Sequence, residues 1–316
     1  MTQIRDDSRE MRIDPDSVAG GYFKHAVYNH WDPYEDIEKA LIEQDRKRLI
    51  DADEFGETEF EDLMRTLALF GAGEEAVTED LAPLMLVVDD INDQMFVSSQ
   101  IYEEAKHTQF FDRYWREVIH PVADARGFER RAPTDQRFFV DGYVDLFDRT
   151  EAAMERLLEP GEDTPTNRVR AYCHYHLTVE SVLAQTGYWG IVSSMSPRGS
   201  EALREDGMPH LEGLVKGISF IRSDEGRHVG FGMQKVQSHL AEDGVDESVV
   251  RETLQELLPL VAETVSATDE VTDPEPLVEY ASEKLTRRIE VITDADASIP
   301  DVETLVTLSE DSTAAD

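Results

Sequence analysis

Three pairs of residues in this chain place a glutamate three positions before a histidine. Residues three apart on an α-helix lie one turn apart on nearly the same face, so each pair could offer a carboxylate and an imidazole to one metal ion. The chain has nine histidines, and about one such pair is expected by chance, so the spacing alone is weak. The pairs are Glu104 and His107, Glu117 and His120, and Glu225 and His228.

The middle pair is interpreted as structural. It follows the first pair by thirteen residues, which turns it by about 220° around a helix axis, away from that pair. His120 also stands directly before Pro121, at a predicted helix end where a histidine interacts favourably with the helix dipole. Two Glu-x-x-His pairs therefore stay as candidate ligands.

Each remaining pair follows a glutamate that stands among apolar or small residues. Glu74 lies in LALFGAGEEAV, and Glu180 lies in YHLTVESVLAQTGYWG. A buried carboxylate is costly in such surroundings unless it is paired or binds a cation. A dinuclear carboxylate site in a four-helix bundle needs one glutamate from each of two helices and Glu-x-x-His from each of the other two. Four carboxylates and two imidazoles suit two cations such as iron and manganese.

Some neighbouring residues compete for these positions. Glu75 is adjacent to Glu74, and only one of the two can face the core. Glu103 is adjacent to Glu104, but only Glu104 has a histidine at the helical spacing. His176, four residues before Glu180, could support a ligand from behind, although a core histidine is the favoured interpretation.

Helices must position these residues, because runs typical of strands are nearly absent. The fold class predicted is all-α, with one domain built on a helix bundle. We expect an irregular N-terminal arm over residues 1–30, a helical domain over 31–295 and an acidic, disordered tail over 296–316. The helices are predicted at about 33–50, 58–88, 91–125, 134–159, 166–195, 210–242, 246–267 and 274–294.

The composition excludes several classes of protein. A formal net charge of −38 argues against binding to nucleic acid or anionic membranes. The excess of acids, with 23 arginines and only seven lysines, is typical of halophilic proteins. The single cysteine, Cys173, permits no intramolecular disulfide and no cysteine-based zinc site. The N-terminal residues MTQIRDDSREMRID contain no apolar segment typical of a signal peptide, and no apolar stretch is long enough to span a membrane, so we expect a cytoplasmic protein.

Four stretches resemble the ferritin-like family of ribonucleotide reductase small subunits, and within it most closely the ligand-binding oxidases. They are AGEEAVTEDLAPL, YEEAKHTQFF, YHLTVESVLAQTGY and RSDEGRHVGFG, and they fall within residues 72–232. The resemblance implies a ferritin-like four-helix bundle core with additional helices and a heterodinuclear manganese–iron site, or a site with two iron ions. It implies a manganese side with Glu74, Glu104 and His107, an iron side with Glu180, Glu225 and His228, and a bridge most readily made by Glu104.

The resemblance also implies a chemistry. Oxidases of this family use O₂ for a two-electron oxidation, bind a long-chain fatty acid in an apolar channel, and join a tyrosine to a valine by an ether bond. The matching residues here are Tyr175 and Val77. In an α-helix Val77 would lie near the face of Glu74, but Tyr175 would lie about 140° from Glu180, so its approach to the site rests on the resemblance.

Two other functions are compatible with the same ligands. The first is a ribonucleotide reductase small subunit that works with a large subunit. Phe111 stands where that family has its radical tyrosine, and no tyrosine follows Tyr280, so both positions favour the oxidase. The second is iron storage, which normally uses shorter chains assembled into shells. A homodimer is expected for the oxidase.

Overall fold

The computed structural model of this protein describes residues 12–197, 203, 208–267, 273–294, 297–301 and 304–305. Within these ranges the chain forms helices and connecting turns and no strand, which confirms the all-α prediction. None of the described helices is both long enough and apolar enough to cross a membrane. The helices are α1 (Val18–Tyr28), α2 (Lys39–Asp51), α3 (Glu57–Asp80), α4 (Ala82–Val87), α5 (Ile91–Tyr114), α6 (His120–Arg126), α7 (Asp141–Glu155), α8 (Pro165–Tyr172), α9 (Gln185–Met195), α10 (Glu212–Glu242), α11 (Ser248–Ser266) and α12 (Glu275–Thr293).

Four rods form the core of the bundle. α3 and α10 are two of them. The third is α5, which continues through a π-helical turn at Trp115–Ile119 into α6. The fourth is α8, which continues through a π-helical segment at Cys173–Ala184 into α9. α3 packs on α5, and α10 packs on the π-helical segment, so the four rods enclose a common centre.

The ends of the rods follow local sequence signals. α5 begins after Asp90, whose side chain accepts a hydrogen bond from the Asn92 N–H. α3 ends just before Leu81, and Pro83 lies in the first turn of α4, so the predicted helix over 58–88 is divided into two helices next to the proline. α6 ends at Gly127, whose φ of 73° is the left-handed conformation that closes many helices.

Two glycines let α10 approach the neighbouring rods closely. A Cβ atom on Gly217 would lie 2.1 Å from Phe110 of α5, and one on Gly232 would lie 2.2 Å from His176 in the π-helical segment. Any larger side chain would push the rods apart. Gly217 precedes Glu225 and His228 in the sequence, and Gly232 follows them. The two close contacts therefore set how near this part of α10 lies to the neighbouring rods.

Some described residues at the chain ends differ from the irregular arm and the disordered tail that the sequence predicts. The expected irregular arm contains α1, which is capped by Ser17 and packs on α5 and α10. The adjacent Gly20 and Gly21 lower its helix propensity, so tertiary packing stabilises it. In the expected disordered tail, Leu305 is buried and its carbonyl accepts a hydrogen bond from Arg288. Residues 306–316 lie outside the described residues.

Candidate dinuclear metal centre

All six predicted ligand residues meet between the four rods. Ligand atoms form two overlapping groups, and within each group they lie within 4.8 Å of one another. Glu104 and Glu225 belong to both groups, so either carboxylate could bridge two ions. One group consists of Glu74, Glu104, His107 and Glu225, and the other of Glu104, Glu180, Glu225 and His228.

Each imidazole turns one nitrogen towards the carboxylates. His107 Nδ1 lies 3.1 Å from Glu104 Oε2 and 3.3 Å from Glu74 Oε2. His228 Nδ1 lies 3.1 Å from Glu104 Oε1 and 3.3 Å from Glu180 Oε1. Both rings are fully buried, so the two Nδ1 atoms face the centre of the cluster and not solvent.

The other nitrogen of each ring contacts a carboxylate outside the cluster. His107 Nε2 lies 3.1 Å from Asp224 Oδ2, and His228 Nε2 lies 2.9 Å from Glu103 Oε2. Histidines that bind metals almost always donate their far N–H to such a partner, which fixes the tautomer and the ring orientation. Both partners are adjacent in sequence to a predicted ligand. Glu103, first considered as a competitor of Glu104, therefore has its own place behind His228.

A buried arginine joins these two outer carboxylates. Arg227 Nη2 lies 2.6 Å from Asp224 Oδ1 and 2.5 Å from Glu103 Oε1. Asp224 also pairs with Lys106 at 2.8 Å and accepts a hydrogen bond from Trp31 Nε1 at 2.7 Å. Burial opposes ionisation of Asp224, but its neighbours His107, Lys106 and Arg227 outweigh burial and hold its pKa below the ordinary value. Sequence reasoning missed this network because its members have no common spacing.

The protonation of the cluster fits a cation site. Burial raises the pKa of Glu74 to about 8 and also raises the pKa values of Glu180 and Glu225. Burial acts the same way on Glu104, but the imidazoles of His228 and His107 outweigh it and lower the pKa of that carboxyl. Without metal ions, protons must therefore balance part of the negative charge, and cations can replace them.

Two buried carboxylate oxygens of the cluster have no hydrogen-bond partner. They are Glu180 Oε2 and Glu225 Oε2. Nearly all buried polar atoms in proteins are satisfied, so two exceptions in one place need an explanation. Carboxylate oxygens are an atom type that binds iron or manganese, and the donor set as a whole fits two such ions.

Gln100 connects Glu180 to the residues behind it. Its Nε2 donates to Glu180 Oε1 at 2.8 Å, and its Oε1 lies 3.4 Å from His176 Nε2. His176 is fully buried, and burial lowers its pKa to about 3. His176 is thus a neutral core histidine that contacts the site through one intervening amide. Gln100 was not predicted, although it stands one helical turn before Glu104.

Tyr175 reaches the cluster because its segment is π-helical. Its hydroxyl donates to Glu104 Oε1 at 2.9 Å. In a π-helix hydrogen bonds join residues five apart, so Tyr175 and Glu180 lie about one turn apart. The α-helical geometry that separated them by about 140° does not apply to Cys173–Ala184. Val77 is buried, and it lines the same cavity as Tyr175.

The remaining candidates lie away from the cluster. Glu75 is exposed, whereas Glu74 is buried. Glu117 pairs with Arg113 at 3.4 Å, and His120 Nε2 lies 3.0 Å from Trp115 Nε1. Neither member of that middle pair belongs to the two ligand groups.

An apolar cavity of about 150 Å³ adjoins the cluster. All four candidate ligand glutamates form part of its lining: Glu74, Glu104, Glu180 and Glu225. Its polar contacts include Tyr188, whose hydroxyl donates to Glu74 Oε1 at 3.0 Å. The other walls include Phe70, Val77, Val179, Leu183, Met195 and Leu277. The cavity therefore offers apolar surface directly beside the carboxylates.

A bundle in which four rods bury four carboxylates and two histidines is a ferritin-like fold with a dinuclear-type site. No protein-family model matches the chain. Solved structures of other proteins do match the chain. One is a glycine-to-phenylalanine variant of an R2-like ligand-binding oxidase with an anaerobically reconstituted Mn/Fe cofactor. It matches with a TM-score of 0.74 and 26% identity, over 90% of this chain and 96% of that chain. A tyrosine-to-phenylalanine variant with an aerobically reconstituted Mn/Fe cofactor matches with a TM-score of 0.73 and 26% identity, over 88% and 94%. The predicted resemblance to the ligand-binding oxidases is thereby confirmed along most of the chain.

Proposed function

We propose that this protein is a dinuclear ligand-binding oxidase that uses O₂ for a two-electron oxidation. Glu74, Glu104 and His107 hold manganese, and Glu180, Glu225 and His228 hold iron, with two iron ions as the alternative. The observation that carries the proposal is the convergence of these six buried side chains with two unsatisfied carboxylate oxygens among them. The similar oxidases are described with an Mn/Fe cofactor, which supports the choice of metals.

Two such ions, when bound, supply the electrons and the coordination sites that O₂ activation requires. The chain orients the ligands through the outer carboxylates and keeps water away by burying every ligand side chain. Tyr188 holds one oxygen of Glu74, and Gln100 holds one oxygen of Glu180, so the second oxygen of each carboxylate is left for a cation.

We infer that Tyr175 and Val77 become joined by an ether bond. Burial raises the pKa of Tyr175 well above its ordinary value, so the hydroxyl keeps its proton until the reaction removes it. The reaction forms one C–O bond and removes one O–H hydrogen and one C–H hydrogen. O₂ accepts these two electrons and two protons, which alone would give hydrogen peroxide; two further electrons from the reduced metal ions and two further protons would complete its reduction to two water molecules. The support is that both residues line the cavity beside the ligand glutamates.

The apolar cavity of about 150 Å³ supports an apolar ligand with one carboxylate, such as a fatty acid, whose long chain would extend beyond the cavity. The walls are largely aliphatic and aromatic, and Glu74, Glu104, Glu180 and Glu225 form part of the lining. A fatty acid could place its carboxylate near the metals and its chain along these walls, which matches the preference of such pockets for apolar ligands with one polar group.

The experiment that tests this function is mass spectrometry of a tryptic digest after aerobic loading with Mn and Fe. We expect a linked peptide pair containing Tyr175 and Val77, two hydrogens lighter than the sum of the two peptides. Tyr175→Phe should remove the link and keep the metal content. Tyr172→Phe, one turn earlier in the same rod, is the matched control and should keep both.

Protein that holds two metals yet forms no link would refute the cross-link, and protein that takes up no metal would refute the oxidase.

The alternative, a reductase small subunit, is disfavoured by Phe111. Its ring stacks on Phe70 with centroids 5.5 Å apart and offers no hydroxyl for a radical. Assembly as a homodimer stays a prediction that sedimentation can test.

A further inference from the structure

A second group of charged side chains lies between α10 and α12, outside the candidate metal centre. Tyr280, Lys284 and Arg288 follow one another at intervals of four residues, so they share one face of α12. Trp189 of α9 stacks on Tyr280 with ring centroids 4.7 Å apart, and Lys284 Nζ lies 5.0 Å from the centre of the Tyr280 ring. Arg222 of α10 interacts electrostatically with Tyr280.

The hydrogen bonds of this group are incomplete. Arg288 is buried, and it donates from Nε to Ser181 Oγ at 3.0 Å and from Nη2 to the Leu305 carbonyl at 3.1 Å. In contrast, Arg222 Nε and Nη2 are buried without any partner, and so is the Tyr280 hydroxyl. A buried donor without a partner destabilises the fold, and more strongly when it is charged.

No carboxylate of the described residues forms an ion pair with Arg222 or Arg288. The groups that act most on Arg222 are Tyr280 and Tyr188. Those that act on Arg288 are Tyr280 and the like charge of Arg287. This is unusual in a chain with a net charge of −38, where even the buried Arg227 has two carboxylate partners. Burial lowers the pKa values of Arg222 and Arg288 to about 10, so both remain charged at neutral pH.

We propose that Arg222, Tyr280 and Arg288 form a binding site for a small oxyanion, namely a phosphate or carboxylate group. Nε and Nη2 form one edge of the guanidinium, and their two N–H groups point in parallel. That edge fits two oxygens of one oxyanion, a geometry that chloride cannot use. The Tyr280 hydroxyl is a further donor without a partner and interacts electrostatically with Arg222, and the positive charges of Lys284 and Arg288 in the same group favour an anion. The site does not depend on metal loading or on the proposed oxidase activity.

The test is thermal unfolding of the full chain with inorganic phosphate, acetate or chloride at one potassium concentration and one ionic strength. At a phosphate concentration about a hundredfold above Kd, the Tm should rise by about 5 °C. Because the acidic surface repels anions non-specifically, a saturable response to an oxyanion reports a specific site. Equilibrium dialysis with labelled phosphate should give one bound ion per chain.

Arg222→Gln is the test variant, and Arg251→Gln on the exposed side of α11 is the matched control. Arg222→Gln removes an unpaired buried charge, so without phosphate it should be at least as stable as the unchanged protein, and it should lose the phosphate response. Arg251→Gln should keep the response, because Arg251 makes only an exposed contact with Glu247 at 3.5 Å. Equal responses to chloride and phosphate, or an unchanged response in Arg222→Gln, would overturn the site.

Discussion

Replacing Asp45 by asparagine tests how α2 is attached to the rods that carry the metal-centre residues. Asp45 is fully buried, and its Oδ2 accepts the backbone N–H of Leu214, in the first turn of α10, at 2.9 Å. The same oxygen accepts the Tyr114 hydroxyl of α5 at 3.1 Å, whereas Oδ1 has no partner. Burial opposes ionisation of this carboxyl, while the start of α10 favours it.

The structure indicates that burial prevails, because the pKa of Asp45 is raised from 3.8 to about 6. The folded protein then binds more protons than the unfolded chain between these two values, so this carboxyl makes the fold less stable as pH rises through that window. Integrating over both titrations gives a loss of about 1.4 kcal/mol between pH 5 and pH 8. Asparagine does not titrate, and its carbonyl oxygen can still accept both hydrogen bonds.

The assay is urea unfolding of the Asp45→Asn variant and the unchanged protein at pH 5 and pH 8. The stability of the variant relative to the unchanged protein should rise by about 1.4 kcal/mol between the two pH values. Asp51→Asn, at the exposed end of α2, is the control and should show no comparable change. If the relative stability of Asp45→Asn falls towards pH 8, the start of α10 holds Asp45 ionised and the argument from burial is wrong.

Two further predictions concern the metal centre and the surface. Gln100→Leu removes the hydrogen bond that orients Glu180, so it should lower the metal affinity about 10- to 100-fold, as measured by competition with a chelating dye. The control is Gln94→Leu on the same helix, where the side chain donates to the Val88 carbonyl, and this variant should keep the affinity. Equal affinities of the two variants would exclude a positioning role for Gln100. The Tm should be higher in 1 M KCl than in 0.01 M KCl. The added salt shortens the Debye length from about 30 Å to about 3 Å, which weakens the repulsion among the charges of a chain with net charge −38. An unchanged Tm would contradict halophilic adaptation.

The sequence was sufficient to find the six candidate ligands because their order is tied to helix geometry. Glu-x-x-His places two donors on one face of one helix, and the apolar neighbours of Glu74 and Glu180 indicate burial. The same helix geometry excluded Glu117 and His120 as ligands, because they are rotated around the helix axis away from Glu104 and His107. The helical fold and most element positions followed from the periodicity of apolar residues.

What the sequence could not show depends on contacts between rods. Asp224 and Glu103 look like further acids in an acidic chain until His107 and His228 are placed against them. The π-helical segment has no recognisable sequence signal, so the approach of Tyr175 could not be worked out from α-helical spacing. α1 was missed because packing on α5 and α10, and not its glycine-containing sequence, stabilises it.

Arg227 has a consequence for how the two halves of the centre communicate. Its guanidinium forms ion pairs with both Asp224 and Glu103, which contact the far ring nitrogens of His107 and His228. A change in the orientation of one imidazole can therefore affect the orientation of the other. If both halves take up an ion, occupation of one half would favour the ring orientation that the other half needs, which is a coupling free energy between the two binding events. Such coupling would favour protein molecules with both positions filled over molecules with a single ion.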